Sequence, residues 1–188
     1  MKKYIIFAGV NGAGKSTLYS IKKDISGLKR INTDEIVREF GTWSNPNDVL
    51  KAGKIAVGRI ADYFDNGVSF NQETTLCGKS IMRNIQKARK LGYYIDIYYV
   101  GVDSAELAIE RIAHRVKTGG HGIPDEDVRR RYQESMDNLK QVINLAHHIV
   151  LYDNTVGFNR FAEYREGNLI FIKDIYTPEW YKNNFTEI

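Results

Sequence analysis

Nine residues near the N-terminus constrain the fold of this chain more than any other feature of its sequence. Residues 9–17, GVNGAGKST, fit the pattern G-x-x-x-x-G-K-[ST]. They directly follow the continuous apolar run of residues 4–8, which is typical of a buried central strand. A helical segment that ends near Ile21 comes next. A strand, a glycine-rich turn and a helix in this order predict the phosphate-binding loop of a nucleotide-binding α/β protein.

Several residues of this loop have a predicted role in holding a triphosphate. Glycines let the backbone curl so that successive N–H groups point at phosphate oxygens, and the following helix adds its positive end. Lys15 is expected to reach the β- and γ-phosphates, and Ser16 is expected to bind Mg²⁺. The residues predicted to contact the nucleotide here are Gly9, Asn11, Gly12, Ala13, Gly14, Lys15, Ser16 and Thr17. ATP and Mg²⁺ are therefore the expected cofactors, and the motif alone does not identify the acceptor.

Strands alternate with helices over residues 1–152. Apolar and β-branched runs predict strands at residues 4–8, 29–31, 68–70, 93–100 and 148–152, with helices between them. This alternation implies parallel pairing through right-handed crossovers, and hence a three-layer α/β fold with a parallel five-stranded sheet. Residues 161–164 and 169–172 predict a small C-terminal hairpin. We interpret residues 1–188 as one domain, with a core of residues 1–155, a lid at about 111–131 and an extension of residues 156–188.

Charge and cysteine content limit the binding partners and the cellular compartment that the sequence predicts. The net charge is +4, and six of the 27 Lys and Arg residues lie between residues 111 and 131. A basic cluster suits anionic phosphates, whereas no interleaving of aromatic and basic residues indicates a nucleic-acid surface. The single cysteine, Cys77, excludes an internal disulfide, and no apolar stretch approaches the roughly 20 residues of a membrane span. We expect a cytoplasmic protein that acts on a small-molecule substrate.

Two acidic residues are predicted to follow strands, at the edge of the sheet where sites form in open α/β folds. Asp34 follows the second strand. Its carboxylate could accept the proton of an attacking hydroxyl, or it could cap the next helix. Glu73 follows the third strand and precedes two threonines. Its carboxylate could bind a polyhydroxylated ligand, hold Mg²⁺ from the outer shell, or simply end the strand.

The basic segment has the sequence features of a lid. Arg111 and Arg115 are four residues apart and share one helix face. A glycine-rich loop with His121 follows, and the next helix carries the three consecutive arginines of residues 129–131. Their guanidinium groups could close over transferring phosphates, or they could form a solvated face paired with nearby acids. Because consecutive residues point in different directions around a helix, the sequence does not determine which of the three meets the ligand.

One polar residue and two tryptophans lie outside these segments. Asn154 follows the last core strand, a position where P-loop kinases often hold the adenine ring, so it is a candidate contact of the nucleotide. Trp43 and Trp180 are interpreted as packing residues rather than as platforms for bases.

Taken together, these segments resemble the zeta-toxin family of P-loop kinases. The similarity covers about residues 3–155 and rests on GVNGAGKST, INTDEI, GVSFNQETTL, GYYIDIYYVGVDSAELAIERIAHRV, GGHGIPDEDVRRRY and LYDN. The resemblance implies a parallel sheet in the order 2-3-1-4-5. It also implies ATP-dependent phosphorylation of UDP-N-acetylglucosamine or a related nucleotide sugar. An antitoxin-like protein becomes a candidate partner, although the sequence alone does not show one.

The resemblance also assigns roles by position, in addition to those of the phosphate loop. Asp34 would be the base that activates the sugar hydroxyl. Glu73 and Thr75 would line the acceptor pocket, and Arg115 would contact the γ-phosphate.

The chain also departs from the family pattern. The well-known toxins are longer, with additional helices around the acceptor pocket. Where they have a second lid arginine three residues before a proline, this chain has His121 before Pro124, and His121 and Arg129 are the candidates for that role toward the substrate. Alternative acceptors are a nucleoside, another metabolite or a nucleic-acid end. A nucleotide-dependent switch without phosphotransfer is the alternative from another class of protein.

Overall fold

The structure is a computed structural model that describes residues 1–22, 25, 27–173 and 176–185. In this part of the chain, helices cover both faces of one seven-stranded sheet. The strands are β1 Lys3–Ala8, β2 Lys29–Ile31, β3 Phe70–Thr74, β4 Tyr94–Gly101, β5 His148–Asp153, β6 Asn159–Arg165 and β7 Asn168–Ile172. The helices are α1 Lys15–Ile21, α2 Thr33–Arg38, α3 Pro46–Asp65, α4 Lys79–Lys90, α5 Ala105–Lys117, α6 Asp125–Val142 and α7 Glu179–Phe185.

The strands lie in the order β2-β3-β1-β4-β5-β6-β7. Strands β1 to β5 pair in parallel, which confirms the predicted α/β fold and the order of its five core strands. The predicted hairpin is present as β6 and β7, and it extends the sheet: His148 lies opposite Arg165 and Asp153 lies opposite Asn159 in antiparallel register. The short connection after β5 explains this direction, because a parallel strand would require a longer crossover.

The third strand begins later than the sequence predicts, at Phe70 instead of residue 68. It lies between β1 and β2, with Tyr4 opposite Phe70 and Ala8 opposite Thr74. Its last four residues are polar, and such residues carry little strand signal of their own. Glu73 therefore lies within the strand rather than beyond it.

The core has one apolar layer on each face of the sheet. Tyr4 and Ile6 of β1 face the larger layer, which α3, α4, α6 and α7 complete. Ile5 and Phe7 face the other layer, which α1 and α5 complete. Strand β1 is thus buried on both sides, as expected for a central parallel strand. Among the helices of the described residues, none combines the length and the apolar character needed to cross a lipid bilayer.

The last helix, α7, has no counterpart among the predicted elements. Its Trp180 is buried and packs against Tyr99 and Phe161, which confirms a packing role for this tryptophan. Gly101 leaves room for the ring, because a Cβ at that position would overlap the indole. The indole Nε1 donates a hydrogen bond to Asp153 Oδ1 at 2.9 Å. A buried carboxylate thus joins the C-terminal segment to the end of β5.

Three residues donate hydrogen bonds to the fully buried Asp153 carboxylate. Besides Trp180, they are the Tyr176 hydroxyl at 2.6 Å and Thr155, whose Oγ1 is at 2.7 Å. The Asp153 carboxylate and partial burial raise the pKa of Tyr176 to about 12. These contacts make Asp153 the anchor of the C-terminal segment.

Replacing Asp153 with Ala is expected to lower the free energy of unfolding by about 3–5 kcal/mol, because the buried indole N–H and phenol would lose their acceptor. Urea denaturation followed by circular dichroism measures the change. Asp65→Ala is the control, because that carboxylate is 69% exposed and pairs with the exposed Lys87, and its loss should change the free energy by about 0.5 kcal/mol or less. A loss below about 1 kcal/mol for Asp153→Ala would contradict the anchor role.

Candidate active site

A cavity of about 690 Å³ opens at the carboxyl ends of the parallel strands. Its walls are formed by the phosphate loop, the first turn of α2, the end of β3, and the facing sides of α5 and α6. The lining residues that matter for the chemistry are Asn11, Gly12, Gly14, Lys15, Ser16, Thr17, Thr33, Asp34, Trp43, Gln72, Glu73, Thr74, Thr75, Arg111, Arg115, His121, Asp127 and Arg131. The fold therefore brings most of the predicted site residues together from distant segments.

Four of the predicted site residues do not line this cavity: Gly9, Ala13, Asn154 and Arg129. Gly9 and Ala13 belong to the phosphate loop itself, and Asn154 contacts the loop from outside the cavity. Gly9 has a φ of +136°, and a Cβ there would overlap the carbonyl oxygen of Val100, so only glycine fits this position. The Asn154 side-chain amide donates a hydrogen bond to the carbonyl oxygen of Ala13 at 2.8 Å. In the structure, Asn154 thus supports the loop.

Lys15 is the first residue of α1, and only 7% of it is exposed. Its Nζ donates a hydrogen bond to the carbonyl oxygen of Val10 at 3.1 Å. Burial lowers the pKa of this ammonium group, the carboxylates of Glu73 and Asp34 oppose that effect, and Arg115 adds to it. Because both acids act on Lys15, the phosphate loop and the two predicted acids form one charged site.

Glu73 faces the serine that is predicted to bind Mg²⁺. Ser16 Oγ donates a hydrogen bond to Glu73 Oε1 at 2.8 Å. Glu73 Oε2 accepts hydrogen bonds from Arg30 Nη2 at 2.7 Å and from Asn32 Nδ2 at 3.1 Å. Hydroxyl and carboxylate oxygens are the ligands that Mg²⁺ prefers. The pair of Ser16 and Glu73 therefore fits the alternative in which Glu73 holds Mg²⁺ from the outer shell. No local pattern marks Arg30, which lies inside a three-residue strand.

Asp34 lies in the first turn of α2, with a side chain that is 41% exposed. The cap of this helix is Asn32, whose Oδ1 accepts a hydrogen bond from the backbone N–H of Asp34 at 2.9 Å. The helix-cap alternative therefore does not apply to the Asp34 side chain. Its carboxylate is instead part of the cavity wall, where an acceptor hydroxyl could reach it.

Three arginines of the basic segment line the cavity, Arg111 and Arg115 from α5 and Arg131 from α6. Arg115 of α5 donates from Nη2 to the carbonyl oxygen of His121 at 2.9 Å. Its Nε is buried and has no hydrogen-bond partner among the described residues. Arg131 of α6 donates from Nη1 to Asn11 Oδ1 in the phosphate loop, at 3.2 Å. The guanidinium groups of the cavity thus come from α5 and α6, whereas Asp34 and Glu73 come from α2 and β3.

The other two consecutive arginines point elsewhere. Arg129 Nε lies 3.1 Å from Glu106 Oε1, and the Arg129 side chain is 52% exposed. Arg130 pairs with Asp127 and Glu134 and is 59% exposed. Successive residues of an α-helix are turned by about 100°, so one of three neighbours faces a given wall. In this structure that residue is Arg131, and the substrate candidate Arg129 lies outside the cavity.

Trp43 is a wall residue that the sequence did not reveal. It precedes α3, and its indole stacks on the imidazole of His121 with ring centroids 4.0 Å apart and planes inclined by 10°. Only the long-range approach of two loops produces this pair, so no local pattern could have indicated it. Trp43 also packs against the larger apolar layer, so the predicted packing role is confirmed and the stack on His121 is a second contact of the same ring.

Phosphoryl transfer to a hydroxyl requires donors and a cation for the phosphates, a carboxylate for the proton, and guanidinium groups for the developing charge. This cavity brings groups of these kinds together on a parallel α/β sheet, which is the architecture of the P-loop kinase-like fold. More particularly, the chain belongs to the Zeta toxin family, whose model matches residues 1–165.

Individual proteins share part of the sequence or the fold of this chain. A Haemophilus influenzae protein described as uncharacterized is 34% identical over 130 residues, which cover 69% of this chain and 92% of the relative. The PezAT chromosomal toxin–antitoxin system of Streptococcus pneumoniae contains a chain with a TM-score of 0.62 and 18% identity, over 100% of this chain and 80% of that one. An AvrRxo1-ORF1:-ORF2 crystal structure with ATP gives a TM-score of 0.71 at 13% identity, over 98% of this chain. This chain covers 63% of the length of that AvrRxo1 chain.

Proposed function

We propose that this chain is an ATP-dependent kinase that transfers the γ-phosphoryl group to a hydroxyl of a small acceptor. One observation carries the proposal: Asp34 and Lys15 line the same cavity, and the Asp34 carboxylate acts on the pKa of Lys15. The two residues lie in the first turns of two different helices, α1 and α2. A proton acceptor and a phosphate-binding cation therefore face one cavity, which is the arrangement that direct phosphoryl transfer needs.

In the proposed reaction, the acceptor oxygen forms a bond to the γ-phosphorus while the bond to the β–γ bridging oxygen breaks. The bridging oxygen leaves with its electron pair as part of ADP. Asp34 accepts the proton of the attacking hydroxyl and later releases it to solvent. Lys15 and the N–H groups of the loop hold the β- and γ-phosphates in place during the transfer.

Mg²⁺, when bound with the nucleotide, neutralises charge between the β- and γ-phosphates. Ser16 would be its ligand from the protein, with Glu73 in the outer shell. Arg30 and Asn32 keep the Glu73 carboxylate oriented toward Ser16 through the contacts described above. The role we propose for Glu73 is therefore on the metal side of the cavity rather than in the acceptor pocket.

Arg115 and Arg131 would stabilise the charge that develops on the transferring group. Both line the cavity, and Arg131 already contacts the phosphate loop through Asn11. The guanidinium group of Arg115 is held by the loop of the lid through the carbonyl oxygen of His121. Closure of that loop and placement of Arg115 are thus expected to occur together.

For the acceptor, we propose a nucleotide sugar such as UDP-N-acetylglucosamine. The family supports this proposal, and so does the chemistry of the wall beside Asp34. Four uncharged polar residues from α2, from β3 and from the position after β3 supply hydroxyl and amide groups that suit a polyhydroxylated ring: Thr33, Gln72, Thr74 and Thr75.

An acceptor panel tests the proposed function. The purified chain is incubated with γ-labelled ATP and Mg²⁺, together with nucleotide sugars, nucleosides, small polyols and RNA ends, and products are identified by mass spectrometry. We expect a phosphorylated nucleotide sugar, no product after addition of EDTA, and heat of ATP·Mg²⁺ binding in calorimetry. Labelling of RNA ends alone would overturn the acceptor, and nucleotide binding without any product would favour the switch alternative.

A further inference from the structure

The stacked pair Trp43–His121 joins two loops across the acceptor side of the cavity. Trp43 comes from the connection between α2 and α3, whereas His121 comes from the connection between α5 and α6. Both residues line the main cavity, and both also line a smaller adjoining one of about 510 Å³. The pair therefore forms part of the partition between the two spaces.

The stack also places the His121 ring beside the proposed base. His121 Nε2 lies 3.9 Å from Asp34 Oδ2, and the two side chains are 14% and 41% exposed. This separation is too long for a hydrogen bond, but it is short enough for a strong effect of charge. The near-parallel contact with Trp43 limits how far the imidazole can turn away from Asp34.

Several charged groups act on the ring of His121. Burial has the largest effect and lowers the pKa of the imidazole. Arg115 on α5 and Arg38 on α2 lower it further, and Asp34 opposes them. From α6, Asp127 and Arg131 line the same cavity. Because the pKa is lowered, the ring is neutral at pH 7 and becomes a cation only in more acidic solution.

We propose that His121 is a positioning residue for Asp34, held by its stack on Trp43, and that its charge controls whether Asp34 can act as a base. The neutral ring closes the wall beside Asp34 and leaves the carboxylate free to take a proton. The imidazolium, formed by uptake of one proton from solvent, pairs with the carboxylate and weakens it as a base. This inference rests on the proposed function, because it presumes that Asp34 serves that role.

A titration that does not depend on phosphoryl transfer first tests whether the charges of His121 and Asp34 interact. The ring signals of the four histidines are followed by NMR against pH in the whole chain, and His121→Asn identifies the signal of His121. Asp34→Asn removes the carboxylate that raises the His121 pKa, so the His121 midpoint should move to lower pH. Glu39→Gln is the matched control. It removes the carboxylate of Glu39, which lies just after the last residue of α2 and pairs with Arg59. An unmoved His121 midpoint in Asp34→Asn overturns the proposal.

The pH dependence of phosphoryl transfer supplies the second readout. In the wild-type protein, kcat/KM should fall on the acid side as His121 gains its proton. His121→Phe keeps an aromatic ring for the stack but cannot titrate, so the acid limb of its kcat/KM profile should lie at lower pH. An acid limb at the same pH in His121→Phe overturns the proposal. Phosphoryl transfer that is unchanged in Asp34→Asn would instead overturn the proposed role of Asp34, and a shifted His121 midpoint would then still stand as a separate result.

Discussion

Asp34→Asn is expected to slow phosphoryl transfer by about two to four decades and to leave ATP binding nearly unchanged, the usual scale for loss of a general base. The substitution preserves the size of the side chain and removes its ability to accept a proton. The helix should form as before, because its cap is supplied by Asn32 and not by the Asp34 side chain. Single-turnover kinetics measures the rate, and calorimetry measures ATP binding.

The control for this experiment is Glu39→Gln, which neutralises an exposed acid at the end of the same helix. Glu39 pairs with Arg59 and does not line the cavity, so the transfer rate should stay within about twofold. A rate for Asp34→Asn within tenfold of wild type would contradict the base role. Loss of ATP binding as large as the loss of rate would indicate that Asp34 serves the nucleotide rather than the acceptor.

Arg115→Ala is expected to lower kcat by about 10³-fold or more, which is the scale of losing a guanidinium group from the transition state of phosphoryl transfer. The Arg115 Nε is buried without a hydrogen-bond partner among the described residues, so this group has donor capacity to give to a phosphate. The loss should appear mainly in kcat, because the negative charge that Arg115 stabilises develops during the transfer step. Steady-state kinetics with varied ATP separates kcat from KM.

Lys117→Ala provides a matched loss of charge two residues further along α5. Lys117 is exposed and does not line the cavity, so kcat should change by less than about twofold. Arg115→Lys should recover only part of the lost rate, because an ammonium group cannot donate in the planar, two-pronged geometry of a guanidinium. A kcat for Arg115→Ala close to that of Lys117→Ala would exclude Arg115 from the transition state.

The sequence could predict those parts of the site whose conformation depends on residues that are neighbours in the chain. The phosphate loop is one continuous segment whose glycines, lysine and serine occupy fixed positions between a strand and a helix, so its conformation follows from neighbouring residues. Alternating strands and helices likewise determine a parallel sheet. The order of the strands came from the family resemblance, and the structure confirms it.

The remaining parts depend on contacts between distant segments. The sequence marks three consecutive arginines, but only the packing of α6 against the sheet makes Arg131 the one at the cavity. Trp43 and His121 meet because two loops approach each other, and neither loop carries a pattern for it. Arg30 belongs to the same group, since its contact with Glu73 spans neighbouring strands β2 and β3.

The buried carboxylate at the end of β5 has a consequence for how the chain can be divided. The family match ends at residue 165, yet Asp153 depends on Tyr176 and Trp180 beyond that point. The next residue after Asp153 is Asn154, whose amide supports the back of the phosphate loop. A fragment cut at residue 165 would therefore lose two of the hydrogen-bond donors to Asp153, beside the residue that supports the phosphate loop, so the matched range is shorter than the region whose contacts hold this edge of the sheet.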